Sequence, residues 1–298
     1  MFKTQHTKGV VLILLSALMF GSYGLWSRLI GDSFGIFYQG WTRALLITIL
    51  LLPLLLYKKE IVPIKRKDWR WLFVFLIFTS LTQAPLFYAF NHMDIGTASL
   101  IFFAFMLLTM YAVGILFLGE KVTKIKAVTF LIAATGLFFT FSFSLVAFTI
   151  LAAGAAVLNG VASGGEVSFS KKLSGSYSPL YLVWLSWGII FVTNGVVSIG
   201  LGEVQHIPSF DIVWLYQIGY TIASIFGFWA IIAGLKYIEA SVGSLIGLLE
   251  IVFSILFGIL IFQEVLTAKV IVGAALILFA AALPHIADLR SKPTPAPA

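Results

Sequence analysis

Two stretches decide the fold of this chain: Gly96–Thr123, GTASLIFFAFMLLTMYAVGILFLGEKVT, and Ala240–Thr267, ASVGSLIGLLEIVFSILFGILIFQEVLT. They align without a gap, and Gly114/Gly258, Ile115/Ile259, Leu116/Leu260, Glu120/Glu264 and Thr123/Thr267 coincide. Almost every other pair is apolar with apolar. Each block is the fourth of five apolar segments, so the chain is a duplicated unit. Five is odd, and a second copy therefore enters a membrane from the opposite side. Inverted repeats of this kind underlie alternating access, with the binding site between the copies near mid-membrane.

The composition requires a membrane. Of 298 residues, 60% are hydrophobic and 10% charged, whereas soluble domains carry about 25% charged residues. The apolar runs approach the roughly 20 residues that cross a hydrocarbon core as helix. They lack the two-residue alternation of barrel strands. The reading is an all-α integral membrane protein of ten transmembrane helices, at about 9–30, 34–57, 69–91, 95–118, 125–143, 147–170, 178–200, 211–235, 240–262 and 268–287. The repeats are expected at 9–143 and 147–287, with the seam near Ser142–Val146 and a disordered cytoplasmic tail over 288–298. The basic start, MFKTQHTK, runs into an apolar stretch with no small-residue cleavage site, so it reads as a retained first span.

The net charge of +7 follows from topology. Of the 19 Lys and Arg, 16 fall on one side of the ten spans; Arg28 and Lys269 fall on the other, and Arg43 lies within the membrane. The positive-inside rule then places both termini in the cytoplasm, with the bacterial inner membrane as the expected location. It also removes the case for nucleic acid. There is no cysteine. The histidines show no metal-ligand spacing, and no nucleophile triad, P-loop or dinucleotide fingerprint occurs. No metal or cofactor is expected, and the chain reads as not an enzyme. The competing class is a membrane-embedded transferase, which calls for acids and histidines on sizeable loops that this chain lacks.

The stretches FGSYGLWSRL (Phe20–Leu29), WTRALLITILLL (Trp41–Leu52), FLGEKVT (Phe117–Thr123) and LLEIVFSILFGILIFQEVLT (Leu248–Thr267) resemble the drug/metabolite transporter superfamily, specifically the ten-span EamA-like transporters with two EamA repeats. The resemblance runs over about 9–287 and implies transport of small organic solutes, often export. Two departures stand in the ninth span: Ile251 where proline is common, and Gln263 where glycine is common. The expectation is a secondary transporter of an amino acid or amine metabolite, with protons as a candidate driving ion. The alternative is an efflux transporter of drugs or lipophilic cations. The expected partners are the substrate and the lipid bilayer, for a monomer or homodimer.

Glu250 leads the candidate site. It lies ten residues into the ninth span, about 15 Å deep at a rise of about 1.5 Å per residue. An acid at that depth marks a proton-coupling site or a counter-ion for an ammonium group; its other reading is a carboxyl bonded to a neighbouring helix. Arg43 reads as a binder of a substrate carboxylate, a partner of Glu250, or a tie between helices. Glu166 lies near the lysine-rich end of the sixth span, where it can snorkel or pair with Lys171. The repeat aligns Glu166 with Tyr23, which would set an acid and a phenol against one ligand. Polar groups at depth complete the candidates: Gln83, Tyr88, Asn159, Ser163, Tyr216, Gln217, Tyr220 and Ser244, with Trp26, Phe102 and Trp229 as aromatic walls. Each polar group has a second reading as a helix–helix hydrogen bond. Gly21, Gly24, Gly160-x-x-x-Gly164 and Gly243-x-x-x-Gly247 are expected to allow close helix approach, and Pro53 and Pro85 to kink.

Overall fold

The computed structural model describes residues 2–92, 95–140, 150–263 and 267–290. The expected seam at Ser142–Val146 and the tail from Ser291 lie outside the described residues. Among the described residues there are helices and no strands. The first span is α1 (Phe2–Gly21) and α2 (Tyr23–Ile30), broken at Ser22. The second is α3 (Ile36–Lys58). The third is α4 (Trp69–Ser80) and α5 (Ala84–His92), broken over 81–83. Then follow α6 (Ile95–Leu118), α7 (Lys124–Thr140), α8 (Ile150–Leu173), α9 (Pro179–Gly200) and α10 (Ile212–Gly234). The ninth span is α11 (Ala240–Gly247) and α12 (Leu249–Phe262), and the tenth is α13 (Ala268–Arg290). Residues 288–290 thus continue the last helix and are not tail. Among the described residues seven spans are long and apolar enough to cross a membrane, the first and ninth counted across their breaks, and α13 carries a shorter apolar stretch over Ala268–Pro284. Leu50, Val196, Ile222 and Leu260 point outward, as lipid-facing side chains do.

Local chemistry sets the ends. Ser178 caps α9 by accepting from the Tyr181 amide at 3.1 Å, with Pro179 at the first helical position. Asp211 caps α10 by accepting from Trp214 at 2.9 Å. Gln263 ends α12 in the left-handed region, φ 54°. Its repeat counterpart Gly119 follows α6 at φ 71°. The glutamine therefore occupies a backbone conformation that favours glycine, which costs roughly 1–2 kcal/mol. The break in the ninth span needs no proline: it falls at Leu248, after Gly247. Pro53 sits inside an unbroken α3, while Pro85 opens α5 just past the break in the third span.

The packing repeats itself. Helix α6 packs on α8 as α11 and α12 pack on α1; α4 and α5 pack on α8 as α10 packs on α1. Helices α3 and α9, and α7 and α13, pair with their own counterparts. One backbone contact shows the correspondence atom by atom. A Cβ on Gly21 would come within 2.8 Å of the Glu250 carbonyl and 2.6 Å of Phe253. A Cβ on Gly164 would come within 2.7 Å of the Met106 carbonyl and 2.8 Å of Thr109. Gly164, Met106 and Thr109 are the repeat counterparts of Gly21, Glu250 and Phe253. Gly160 is equally tight, 2.5 Å from the Phe102 carbonyl. The ninth-span glycines behave differently from expectation: Gly247 meets nothing within 4 Å, and Gly243 faces only side chains of Leu235, Ile13 and Ile238.

The α3–α9 pair carries a second duplicated device. Glu203, just past α9, accepts from the Phe37 and Tyr38 amides at 3.1 and 2.6 Å. These amides open α3, where a helix dipole favours an anion. Glu60, just past α3, accepts from the Ser178 hydroxyl at 2.6 Å, at the start of α9. Glu60 and Glu203 are repeat counterparts, and inversion puts them at opposite ends of the same pair.

Gly21→Ala and Gly164→Ala should each cost about 1–3 kcal/mol, because carbonyl oxygens cannot retreat without parting the helices. Gly154→Ala, with open space at its Cβ, should be neutral or slightly stabilising. Thermal unfolding of the purified protein in detergent separates the three.

Candidate functional site

A cavity of about 680 Å³ lies between the two walls, α1–α2 with α12 on one side and α8 with α6 on the other. The repeat brings four counterparts to it together. Tyr23 and Glu250 stand on the first wall, and Met106 and Glu166 on the second. Each wall supplies one acid. The rest of the lining is mostly apolar, with Phe20, Phe102, Phe103, Trp187 and Phe228 contributing rings. Among the described residues no lysine or arginine lines it.

The two acids are held differently. Glu166 is buried, and its Oε1 accepts from the Thr79 hydroxyl at 3.0 Å and the Ser186 hydroxyl at 2.7 Å. Thr79 is there because α4 ends one residue later; Ser186 comes from the middle of α9. Snorkelling and the Lys171 pairing are therefore overturned: the carboxyl turns inward, and Lys171 serves another acid. Glu250 is half-buried, and no described residue donates a hydrogen bond or an ion pair to its carboxyl. Its position follows from the Gly21 contact, which seats the Glu250 backbone directly against α1.

The other candidates divide. Gln83, Ser163 and Phe102 line the cavity. Asn159 also lines it, but its amide donates to the Thr82 carbonyl at 2.7 Å, satisfying backbone released by the break at 81–83. Arg43 does not reach the cavity. It is 2% exposed, with its guanidinium 3.8 Å from the Tyr220 ring, 5.2 Å from Trp187 and 5.4 Å from Tyr23. No ion pair joins it to Glu250 or Glu166 among the described residues. Two rings that face the cavity thus screen a buried cation behind them. Tyr220 packs edge-on against Tyr23 at 4.7 Å and belongs to this cage.

The remaining candidates do not line the cavity and are engaged in helix packing or in bonds within a helix. Gln217 donates to the Gln39 carbonyl and the Thr42 hydroxyl at 2.8 and 2.9 Å, joining α10 to α3. Trp26 donates back to Ser22 at 3.1 Å and covers Gly219. Ser244 bonds the Ser241 carbonyl, Tyr88 stacks on His92, and Tyr216 and Trp229 pack against buried clusters. Residues that sequence reading missed are Ser186, Thr79 and Trp187. Ser186 and Trp187 lie in an apolar run, and Thr79 ends one, with nothing in the sequence to set any of them apart.

The cavity does not run the full length of the helices. Towards the lysine-poor ends of the helices it reaches Ser99, Thr140 and Val270. Towards the lysine-rich end it stops at Glu166 and Phe228. Below them Glu120, in the turn after α6, crosses between the repeats. It accepts from the Ala240 and Ser241 amides at 2.5 and 3.1 Å and from the Ser241 hydroxyl at 2.6 Å, at the start of α11. Lys171 reaches it at 3.1 Å from the end of α8 and donates to the Ile238 carbonyl. Lys126 lies 3.8 Å from Glu120 and 2.6 Å from Glu239. Burial pushes the Glu120 carboxyl up, but the Ser241 hydroxyl, the two amides and Lys171 outweigh it and hold the group below the usual carboxylate range.

The family model of the EamA-like transporter family matches residues 7–142 and 150–284. The chain belongs to that family, within the drug/metabolite transporter superfamily, as a multi-pass membrane protein of ten transmembrane helices in two inverted five-helix repeats. A solved crystal structure is similar at a TM-score of 0.79 and 14% identity, covering 95% of this chain and 99% of the other. At that identity the likeness is one of fold. No curated protein matches the sequence.

Glu120→Gln should lower stability by roughly 3 kcal/mol, since it leaves Lys171 short of its acid. The folded carboxyl binds protons less readily than the unfolded one. Its contribution is therefore complete above the ordinary carboxylate value and fades as pH falls through the lower folded one. Melting temperature against pH should show an acid limb that Glu120→Gln flattens.

Proposed function

We propose that the chain is a secondary transporter that moves an organic cation, an amine metabolite or a lipophilic cation, by alternating access. The observation that carries this reading is the lining of the cavity: two carboxyl groups, aromatic rings and, among the described residues, no basic side chain. An amino acid would bring a carboxylate of its own into that field, and Arg43, the one candidate to receive it, is walled off by Tyr23 and Trp187. The structure thus favours the amine and lipophilic-cation alternatives over a zwitterion.

Glu250 is the exchanging group in this proposal. With no protein donor, its carboxyl takes either the cationic head of the solute or a proton. Glu166 holds the opposite wall, one oxygen engaged by hydroxyls. Rings such as Phe20 and Tyr23 on one wall and Phe102 on the other offer π-faces and apolar area to the rest of the solute. The lysine-rich end faces the cytoplasm by the positive-inside rule. The cavity reaches further towards the other end; in this proposal it is emptied of solute and loaded with a proton from that side, as a proton from outside replaces a departing cation at Glu250. That order makes the cycle an export driven by the proton gradient across the bacterial inner membrane. The described lining comes from one chain, which supports a monomer as the transporting unit.

The test is transport of tetraphenylphosphonium or a quaternary amine in proteoliposomes under an imposed pH gradient. Glu250→Gln should weaken binding about 10- to 100-fold, the worth of a hydrogen bond or contact to a charged group, and should abolish proton-driven transport. Its melting temperature should not fall. Neutral amino acids in excess should not compete. Wild-type transport by Glu250→Gln would refute the role of this residue, and competition by amino acids would restore the zwitterion reading.

A further inference from the structure

A second hollow, of about 330 Å³, lies on the outside of the bundle at the lysine-rich end. Helix α7 packs on α13 in preference to running along α6, and the hollow lies between α6 and α7 near their shared turn. Leu108, Ala112 and Ile115 of α6 and Phe130 of α7 form the walls, and Lys121 and Lys126 stand at the mouth. Leu108 is 45% exposed and Ile115 38%, so the slot opens sideways on a membrane-spanning surface. Its walls offer water almost no partners, and lipid chains are the solvent there.

The mouth is cationic. Lys121 lines the hollow and Lys124 opens α7 three residues on; both are exposed, and no described carboxylate pairs with either ammonium. Lys126 is committed, to Glu239 at 2.6 Å and to the Lys121 carbonyl at 3.0 Å. The described acids beside the mouth, Glu239 and Glu120, are thus already paired, with Lys126 and Lys171, leaving Lys121 and Lys124 as uncompensated charge at the level where the spans end.

We propose that this slot binds one anionic phospholipid, with an acyl chain along the α6–α7 walls and the phosphate against Lys121 and Lys124. Charge complementarity selects the headgroup, and the apolar, laterally open slot selects the chain. The slot shares Lys126 and Ser241 with the Glu120 closure. A bound lipid therefore sits against the contact that shuts the lysine-rich end, and the membrane's anionic lipid content bears on that contact. This inference is independent of what the central cavity carries.

The experiment is native mass spectrometry of the full chain, titrated with phosphatidylglycerol and phosphatidylcholine of identical acyl chains. Phosphatidylglycerol should bind at least about fivefold more tightly, the effect expected of one lysine near an anionic headgroup. The double variant Lys121→Gln, Lys124→Gln should erase that preference at unchanged melting temperature. Lys58→Gln with Lys59→Gln, exposed charges elsewhere at the same end, should leave it intact. Ala112→Trp, at an exposed position in the slot, should weaken both lipids. Equal binding of the two lipids would overturn the proposal. So would a preference lost equally in the Lys58 and Lys59 pair, or undiminished lipid binding in Ala112→Trp. Displacement of phosphatidylglycerol by millimolar glycerol phosphate would also overturn it, because it would make the mouth a soluble-anion site.

Discussion

The structure depends on two places where a glycine lets one helix backbone rest on another. Gly21 brings α1 against the Glu250 carbonyl, and Gly164 brings α8 against the Met106 carbonyl. In lipid there is little hydrophobic drive to join helices, so close van der Waals contact has to supply the adhesion. These contacts build the two walls of the cavity. They also decide what the walls present, since Glu250 and Met106 are the residues being seated.

A duplicated scaffold need not carry a duplicated site. The same position holds Glu250 in one repeat and Met106 in the other, and a second position holds Glu166 and Tyr23. All four reach one cavity. The scaffold retains its pseudo-twofold relation in backbone contacts, in the Glu60 and Glu203 clamps and in the left-handed turns at Gly119 and Gln263. The lining keeps only the positions and changes the chemistry. Buried acids are costly in a membrane, and this arrangement spends that cost on the cavity alone. Arg43, a cation buried within the spans, has aromatic rings between it and the cavity.

The lysine-rich end shows how the halves are joined. Glu120 comes from the first repeat and closes on the first turn of α11 in the second, with Lys171 of α8 on the same oxygen as the Ala240 amide. Charged groups here sit near the end of the spans, where they can be hydrated on release. Such a contact can hold the end shut and still open at moderate cost. The cavity acids lack that option, because they lie deeper in the bilayer.

The sequence by itself determined the membrane, the helices, their number and the inverted duplication, because apolar run length, charge asymmetry and self-alignment are properties of the chain alone. It also singled out Glu250, since an acid that deep in an apolar run has few structural uses. Even the match between Glu166 and Tyr23 was legible from the repeat offset. Direction and partnership were not. Along the chain Glu166 lies close to Lys171, yet α8 turns its carboxyl towards Thr79 and Ser186 and sends Lys171 to Glu120, 51 residues away in sequence. Arg43 and Tyr23 carry equal promise as residues, but only one of them faces the cavity. Gln217 and Ser163 read alike as polar groups at depth, and the first ties α10 to α3. Which side of a helix meets water, and which partner a polar group finds, is set by how ten helices pack, and that is a property of the tertiary structure.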